Sequence, residues 1–326
     1  MKPTIYITRK IPEKALQLLK RHCVVTMWEE EEVPVPRKIL MEKIRTADGL
    51  YCMLTDTIDR ELLEVAPHLK VIGNLAVGFN NIDIEAANEL GIMVTNTPGV
   101  LTEATADLTF ALLMATARRI PEASEFVRTG EWKSWAPMLL TGQDVFGATI
   151  GIIGMGRIGT AVARRAKGFT MKILYHNRSR NIETENELGA TYVELEDLLT
   201  QSDFVVILAP YTEETKNLIA KRELSLMKNT AILINVARGG MVNEADLYDA
   251  LKSKKIWAAG LDVFEEEPVT LDHPLLSLPN LVVLPHIGSA SINTRITMSE
   301  VAATNLLQAL SGEIPDNLVN KETLIN

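Results

Sequence analysis

The chain has 326 residues, 47% hydrophobic and 23% charged, the make-up of an ordinary globular protein long enough for two cores. A net charge of −9 leaves no excess of cations to neutralise a phosphate backbone, so no nucleic-acid partner is expected. No apolar run approaches the roughly 18 residues of a membrane span, so no membrane partner is expected either.

Met1-Lys2-Pro3 leads straight into strand-like residues with no cleavable apolar region, which makes the cytoplasm the expected compartment. Cys23 and Cys52 have neither CxxC spacing nor a histidine-rich neighbour, so they read as buried thiols and no metal is expected. Short apolar runs alternate with amphipathic stretches from end to end. The first hundred residues predict strands at 4–8, 24–28, 49–53, 71–74 and 93–96, with helices at 13–21, 37–45, 59–65 and 84–90. Residues 102–118 predict a long, mostly apolar helix. The next segment, 120–146, carries Trp132, Trp135 and the run Pro137-Met138-Leu139-Leu140. A second series predicts strands at 148–153, 172–175, 204–208, 231–235, 258–262 and 281–284, and a final helix at 291–311. Strands alternating with helices at this spacing imply parallel sheets covered on both faces, an α/β architecture of two doubly wound layers. The acidic run 29–32 reads as a solvated loop.

Gly154-Met155-Gly156-Arg157-Ile158-Gly159 is a GxGxxG placed between an apolar strand and a helix. In that context each glycine has a reason. Gly154 permits the tight turn, Gly156 lets backbone approach a pyrophosphate, and Gly159 lets the helix pack on its strand, while the helix N-terminus offers N–H groups to the anion. At the end of the next strand an acidic residue would favour NAD(H) through the ribose 2′-OH. The chain instead has Asn177-Arg178-Ser179-Arg180, where Arg178 and Arg180 suit a 2′-phosphate and Ser179 adds a hydroxyl. NADP(H) is the expected cofactor, with NAD(H) left open.

Three polar residues follow at the carboxyl ends of strands in the second series. They are Arg238 in Asn235-Val236-Ala237-Arg238-Gly239, Glu267 before Pro268, and His286 in Pro285-His286-Ile287-Gly288-Ser289. A 2-oxo acid has a carboxylate to hold, a carbonyl to polarise and an oxygen to protonate. A forked guanidinium suits the first two tasks. An imidazole suits the third, and a carboxylate beside it favours its charged form.

With these segments the chain resembles the D-isomer-specific 2-hydroxyacid dehydrogenase family, from its first strand to nearly its last residue. The resemblance implies that Arg238 binds and polarises substrate, Glu267 pairs with the histidine and His286 is the acid/base. It also implies a cofactor site drawn from Thr105, Gly154, Gly156, Arg157, Ile158, Gly159, Asn177, Arg178, Ser179, Leu208, Ala209, Pro210, Val236, Ala237, Arg238, Asp262, His286 and Gly288, with Asp262 on the nicotinamide carboxamide. A Rossmann cofactor domain at 101–289, with a dimerisation arm at 102–146, would be inserted in a discontinuous flavodoxin-like substrate domain made of 1–100 and 290–326. Substrate would lie in the cleft between them, its carboxylate on the N–H groups of the Ala76-Val77-Gly78-Phe79 turn.

Within the family the chain looks most like the glyoxylate/hydroxypyruvate reductases. The basic turn at Arg178, an apolar wall at Leu54 and the segment Gly130-Glu131-Trp132-Lys133-Ser134-Trp135 carry this likeness. It implies a homodimer in which Trp135 reaches the partner's active site. Substrate contacts would come from Leu54, Val77, Gly78, Trp135, Arg238, His286 and Ser289. A phosphoglycerate dehydrogenase is the enzymatic alternative. It would carry an arginine where Asn74 stands, and a regulatory domain beyond Asn326. A dinucleotide-sensing, corepressor-like binding protein is the other alternative, separated from an enzyme by turnover of NADPH with glyoxylate.

Overall fold

The structure is a computed structural model and describes residues 2–321. Met1 and residues 322–326, assigned above to the outer domain, lie outside the described residues. In chain order the elements are β1 (Thr4–Ile7), α1 (Glu13–His22), β2 (Val24–Met27), α2 (Arg37–Ile44), β3 (Gly49–Met53), α3 (Arg60–Glu64), β4 (Val71–Leu75), α4 (Ile84–Glu89) and β5 (Met93–Thr95). Next come α5 (Thr102–Ala117), α6 (Ile120–Arg128), β6 (Thr149–Ile153), α7 (Arg157–Gly168), β7 (Lys172–His176), α8 (Ile182–Leu188), β8 (Thr191–Tyr192), α9 (Leu195–Gln201) and β9 (Phe204–Ile207). The last are α10 (Lys221–Leu226), β10 (Ile232–Asn235), α11 (Glu244–Lys252), β11 (Ala258–Leu261), β12 (Leu281–Val283) and α12 (Ile292–Ser311). The chain separates into two compact units, Met1–Leu101 with Ser291–Asn326, and Thr102–Ala290.

The first unit is built on five parallel strands in the order β2-β1-β3-β4-β5. Two of its helices start where short polar side chains hold free N–H groups: Asp59 caps α3 through Leu62 N, and Asp83 caps α4 through Ala86 N. α12 belongs to this unit because β4 carries glycine at the contact, where a Cβ on Gly73 would lie 2.7 Å from Leu306. The segment after α12 returns to β5: the Asn320 amide accepts from Val94 N (2.7 Å) and donates to the Ile92 carbonyl (2.9 Å).

The second unit has seven parallel strands in the order β12-β11-β10-β9-β6-β7-β8. The order reverses at β6, between β7 and β9, and such a switch point opens a crevice at the carboxyl ends of the strands. Central strands β9 and β10 are buried along their whole length, which is why their sequences are continuous apolar runs rather than alternating ones. Small residues Ala161, Val162, Ala163 and Ala166 form the face that α7 lays on the core. α5 packs on α7, β10 and β11.

The strand–helix alternation thus gives two parallel α/β sheets, as the sequence implies. Several observed strands, including β1, β9 and β11, stop one residue before the expected end, where the backbone leaves the ladder. Helices α8 to α11 fall between the expected strands without having been placed residue by residue, and two further elements escape the sequence pattern. β8 is only two residues long, and α6 fills the start of the segment left without an assignment, although it buries none of its side chains. Among the described residues no helix is long and apolar enough to cross a membrane.

Candidate active site

The glycine turn sits at the switch point, directly after β6. Gly154 has φ +105°, and a Cβ there would lie 2.4 Å from Ala209 N and 2.6 Å from the Leu208 carbonyl carbon, so both conformation and space demand glycine. A Cβ on Gly159 would meet the Gly154 carbonyl oxygen at 2.2 Å, which is the close helix–strand approach expected of that position. Gly156 differs. A Cβ there would find no protein atom within 4 Å. The protein's own packing gives no reason for glycine at 156, whereas a ligand approaching the backbone would.

α7 then starts at Arg157 with no side-chain cap and no acid in its first turn, leaving its N-terminal N–H groups and positive dipole end to an anion. These features fit the pyrophosphate of a dinucleotide. The turn itself is held from β7: Asn177 Oδ1 accepts from Met155 N (2.7 Å), and Asn181 donates to the Met155 carbonyl (3.0 Å). Asn177, expected at the ribose, therefore also braces the glycine turn.

Arg180 requires a correction. Its guanidinium is engaged by Glu185 through two hydrogen bonds, the Nε contact being 3.0 Å, rather than presented to a ligand. That bond, with a second from Tyr175, holds the Glu185 carboxyl down at about 2. Arg178 and Ser179 are exposed. Among the described residues Arg178 forms no ion pair.

The strands next to the turn deliver the chemistry. Beyond β10 the backbone bends sharply because Asn235, buried at the strand end, accepts from Ala237 N (3.0 Å) and donates to the Arg238 carbonyl (2.8 Å). Arg238 is partly buried, and its Nη1 donates to the Ala237 carbonyl (2.7 Å). Burial pushes its guanidinium down from the ordinary value, and the charge of Glu267 pushes it back.

Beyond β11, Asp262 takes on a task that the sequence did not disclose. Its carbonyl accepts from His286 N, and its carboxylate oxygens accept from Ile287 N and Gly288 N, all at 2.8 Å. His286 itself has φ +55°, a conformation costing a non-glycine residue about 1–3 kcal/mol unless its surroundings enforce it. The three Asp262 bonds are that enforcement. Burial pushes the Asp262 carboxyl up more than the two N–H groups and the His286 charge pull it down. Asp262, Val236 and Thr105 all border Gly288, where a Cβ would lie 3.2–3.5 Å from each.

His286 Nδ1 lies 2.7 Å from Glu267 Oε2. A carboxylate only accepts, so Nδ1 carries the donated proton and Nε2 is the ring atom left for a substrate. The other oxygen of Glu267 accepts from Phe264 N (3.0 Å). Burial pushes the Glu267 carboxyl up, but the His286 hydrogen bond and charge, Phe264 N–H and Arg238 outweigh it, and the net shift is downward. Glu267 thus stays ionised across the range where an ordinary imidazole changes charge.

In the first unit the expected substrate residues lie at the carboxyl ends of adjacent strands, Leu54 after β3 and Val77 with Gly78 after β4. The two loops are tied together by side-chain amides, one buried and one partly buried. Asn74 donates to the Gly78 carbonyl (2.9 Å) and to Asn81 Oδ1 (3.2 Å), and Asn81 donates to the Met53 and Asp56 carbonyls (both 3.1 Å). Asn96 donates to the Val77 carbonyl (2.7 Å). Asn74, at the place of the phosphoglycerate dehydrogenase arginine, is fully buried and shapes the turn. Ser289 follows Gly288 in the His286 loop, and Trp135 is 76% exposed.

Glycine turn, guanidinium and imidazole–carboxylate pair all project from one edge of the second sheet, and the class that this edge defines is the dinucleotide-dependent dehydrogenases. Residues 110–288 match the D-isomer specific 2-hydroxyacid dehydrogenase, NAD binding domain. The chain is 52% identical over 325 residues to a glyoxylate reductase of Korarchaeum cryptofilum, covering 99% of this chain and 98% of that protein. It is 53% identical over 328 residues to a glyoxylate reductase of Pyrococcus horikoshii, with the same coverages. A crystal structure of an NADPH-dependent glyoxylate/hydroxypyruvate reductase of Sinorhizobium meliloti, in complex with NADP and malonate, matches with a TM-score of 0.85 at 34% identity, covering 99% of this chain and 98% of that one. The chain belongs to the D-isomer-specific 2-hydroxyacid dehydrogenase family and is an NAD(P)-dependent oxidoreductase.

Proposed function

We propose that the protein reduces small 2-oxo acids, glyoxylate and hydroxypyruvate, to the corresponding 2-hydroxy acids, using NADPH in preference to NADH. One observation carries the reading: His286 donates a hydrogen bond from Nδ1 to an ionised carboxylate 2.7 Å away, and so keeps Nε2 for an oxygen outside the protein. The names of the relatives support glyoxylate as substrate, and the NADP-bound S. meliloti structure supports the cofactor.

A bound nicotinamide supplies the hydride for the carbonyl carbon. Arg238 contributes forked N–H donors to the substrate carboxylate and carbonyl, and its partial burial makes those bonds stronger than they would be in water. Charged His286 gives the Nε2 proton to the oxygen and is left neutral, its remaining proton staying on Nδ1, where the hydrogen bond to ionised Glu267 fixes the ring. The reverse reaction starts from neutral His286, with the proton moving from the hydroxyl to Nε2. In this reading Ser289, beside the His286 loop glycine, is a further substrate contact of the same unit. The test is NADPH oxidation with each acid, repeated with NADH. Tight cofactor binding without turnover on either acid overturns the enzyme reading in favour of a sensor.

Arg178 is assigned to the 2′-phosphate. Arg178→Ala is expected to raise the KM for NADPH about tenfold or more, the worth of a charge-assisted bond, and to leave the KM for NADH nearly unchanged. Equal effects on the two cofactors remove the assignment.

A homodimer belongs to the same proposal. Trp132, Trp135, Met138 and Phe146 are all more than half exposed within 132–146, an apolar surface that water alone covers poorly. Sedimentation equilibrium is expected to give twice the chain mass, and Trp135→Ala is expected to raise the KM for the oxo acid. A monomer at micromolar concentration refutes the arrangement.

A further inference from the structure

A second imidazole–carboxylate pair lies in the same unit, away from the reacting groups, and it touches the loop that carries Glu267. His273 Nε2 lies 3.1 Å from Glu244 Oε2, with side chains 24% and 13% exposed. Since the carboxylate accepts, Nε2 bears the proton. His273 Nδ1 is buried with no hydrogen-bond partner among the described residues, so the ring is held through Nε2. The other oxygen of Glu244 accepts from Glu265 N at 2.7 Å.

Both oxygens of Glu244 are thus committed, one to a ring and one to the backbone two residues before Glu267. The backbone N–H of Phe264, one residue earlier, donates to Glu267 Oε1, and the Phe264 ring stands edge-on to His273 with centroids 5.9 Å apart. Glu244 is itself fixed at the first turn of α11, where Asn243 caps the helix through Asp246 N. Glu265, Glu266 and Glu267 are consecutive acids, and repulsion among them favours an open loop. Of the bonds named here, the one from Glu265 N to Glu244 is what ties the start of that loop to a helix.

We propose that Glu244 and His273 are positioning residues, whose pair holds the Phe264–Glu265 peptide so that the Glu267 carboxylate stays on His286 Nδ1. This rests on the reading in which His286 and Glu267 conduct the proton transfer.

The test is steady-state kinetics of the full-length protein with glyoxylate and NADPH. Glu244→Ala is expected to lower kcat about tenfold or more, the usual size for loss of a supporting hydrogen bond, with the cofactor KM within about twofold of the parent. Glu244→Gln keeps an oxygen for Glu265 N–H and is expected to restore most of kcat. On a Glu267→Gln background, Glu244→Ala is expected to cost less than about twofold more, because two residues acting through one contact are not additive. His273→Leu removes the donor without emptying the site. It is expected to lower kcat by about threefold to tenfold, and it decides the matter if Glu244→Ala does not fold. Parental kcat in Glu244→Ala or in His273→Leu overturns the inference alone, as does an undiminished Glu244→Ala effect on the Glu267→Gln background. Parental kcat in Glu267→Gln overturns the proton-transfer reading and the inference with it.

Discussion

Replacing His286 by alanine is expected to lower kcat for glyoxylate reduction by about a thousandfold while leaving NADPH affinity within about threefold of the parent. The separation of the two effects follows from how the loop is held. All three bonds that set its course run to Asp262 from backbone N–H groups of residues 286, 287 and 288, and none uses the imidazole. Alanine, like histidine, carries a Cβ and is strained at a φ of +55°, but the three Asp262 bonds are made by backbone N–H groups that the variant retains, so the backbone keeps its path and the neighbouring cofactor residues keep theirs. What disappears is the Nε2 proton. No substitute stands ready, because Glu267 is ionised while His286 is present. Without the imidazole, the burial that pushes the Glu267 carboxyl up loses its largest opponent. Residual activity should therefore increase toward acid pH, where Glu267 protonates and becomes a weak donor. Stopped-flow or steady-state NADPH oxidation gives kcat, and quenching of tryptophan fluorescence gives the affinity. A kcat within tenfold of the parent would remove His286 from its role.

The sequence disclosed the parallel sheets and the glycine turn because both leave a local signature. A buried parallel strand reads as an apolar run, Gly159 is dictated by the carbonyl of Gly154 five residues away, and Gly154 by the backbone just beyond the neighbouring strand β9. Arg238, Glu267 and His286 were legible as polar residues where strands end, although nothing in their spacing says that they meet. Their supports were not legible. Asn235 looks like an ordinary strand-end residue, Asp262 was expected on the nicotinamide carboxamide rather than under the His286 loop, and Glu244 and His273 stand 29 positions apart, joined only by the fold. Arg180 misled for the opposite reason: a basic residue in the right turn was already committed to Glu185, five residues on. α6 went unassigned because it buries no side chain, and Pro121, suited to the first turn of a helix, reads as a break just after α5.

Gly239→Ala tests how tightly the loops that carry Arg238 and Glu267 are built against each other. A Cβ on Gly239 would fall 1.8 Å from the Phe264 carbonyl carbon, 2.0 Å from its oxygen and 2.2 Å from Glu265 N. All three are backbone atoms, so no side chain can swing aside, and the peptide must retreat by more than about an ångström to reach ordinary contact. That displacement pulls Glu265 N from Glu244 and Phe264 N from Glu267, and so moves the carboxylate that fixes His286. A shift of this size at a supporting group is expected to lower kcat about a hundredfold, and the overpacking to cost about 1–3 kcal/mol of stability. Gly240→Ala is the matched comparison, since its Cβ would meet only the edge of the Tyr211 ring at 3.0 Å, and a ring can tilt. Thermal melting and kcat measured side by side should show a lower midpoint and a collapsed turnover for position 239 and small changes for position 240. Equal effects at the two positions would mean that the contact between Gly239 and the Phe264–Glu265 peptide does not set the geometry of the site.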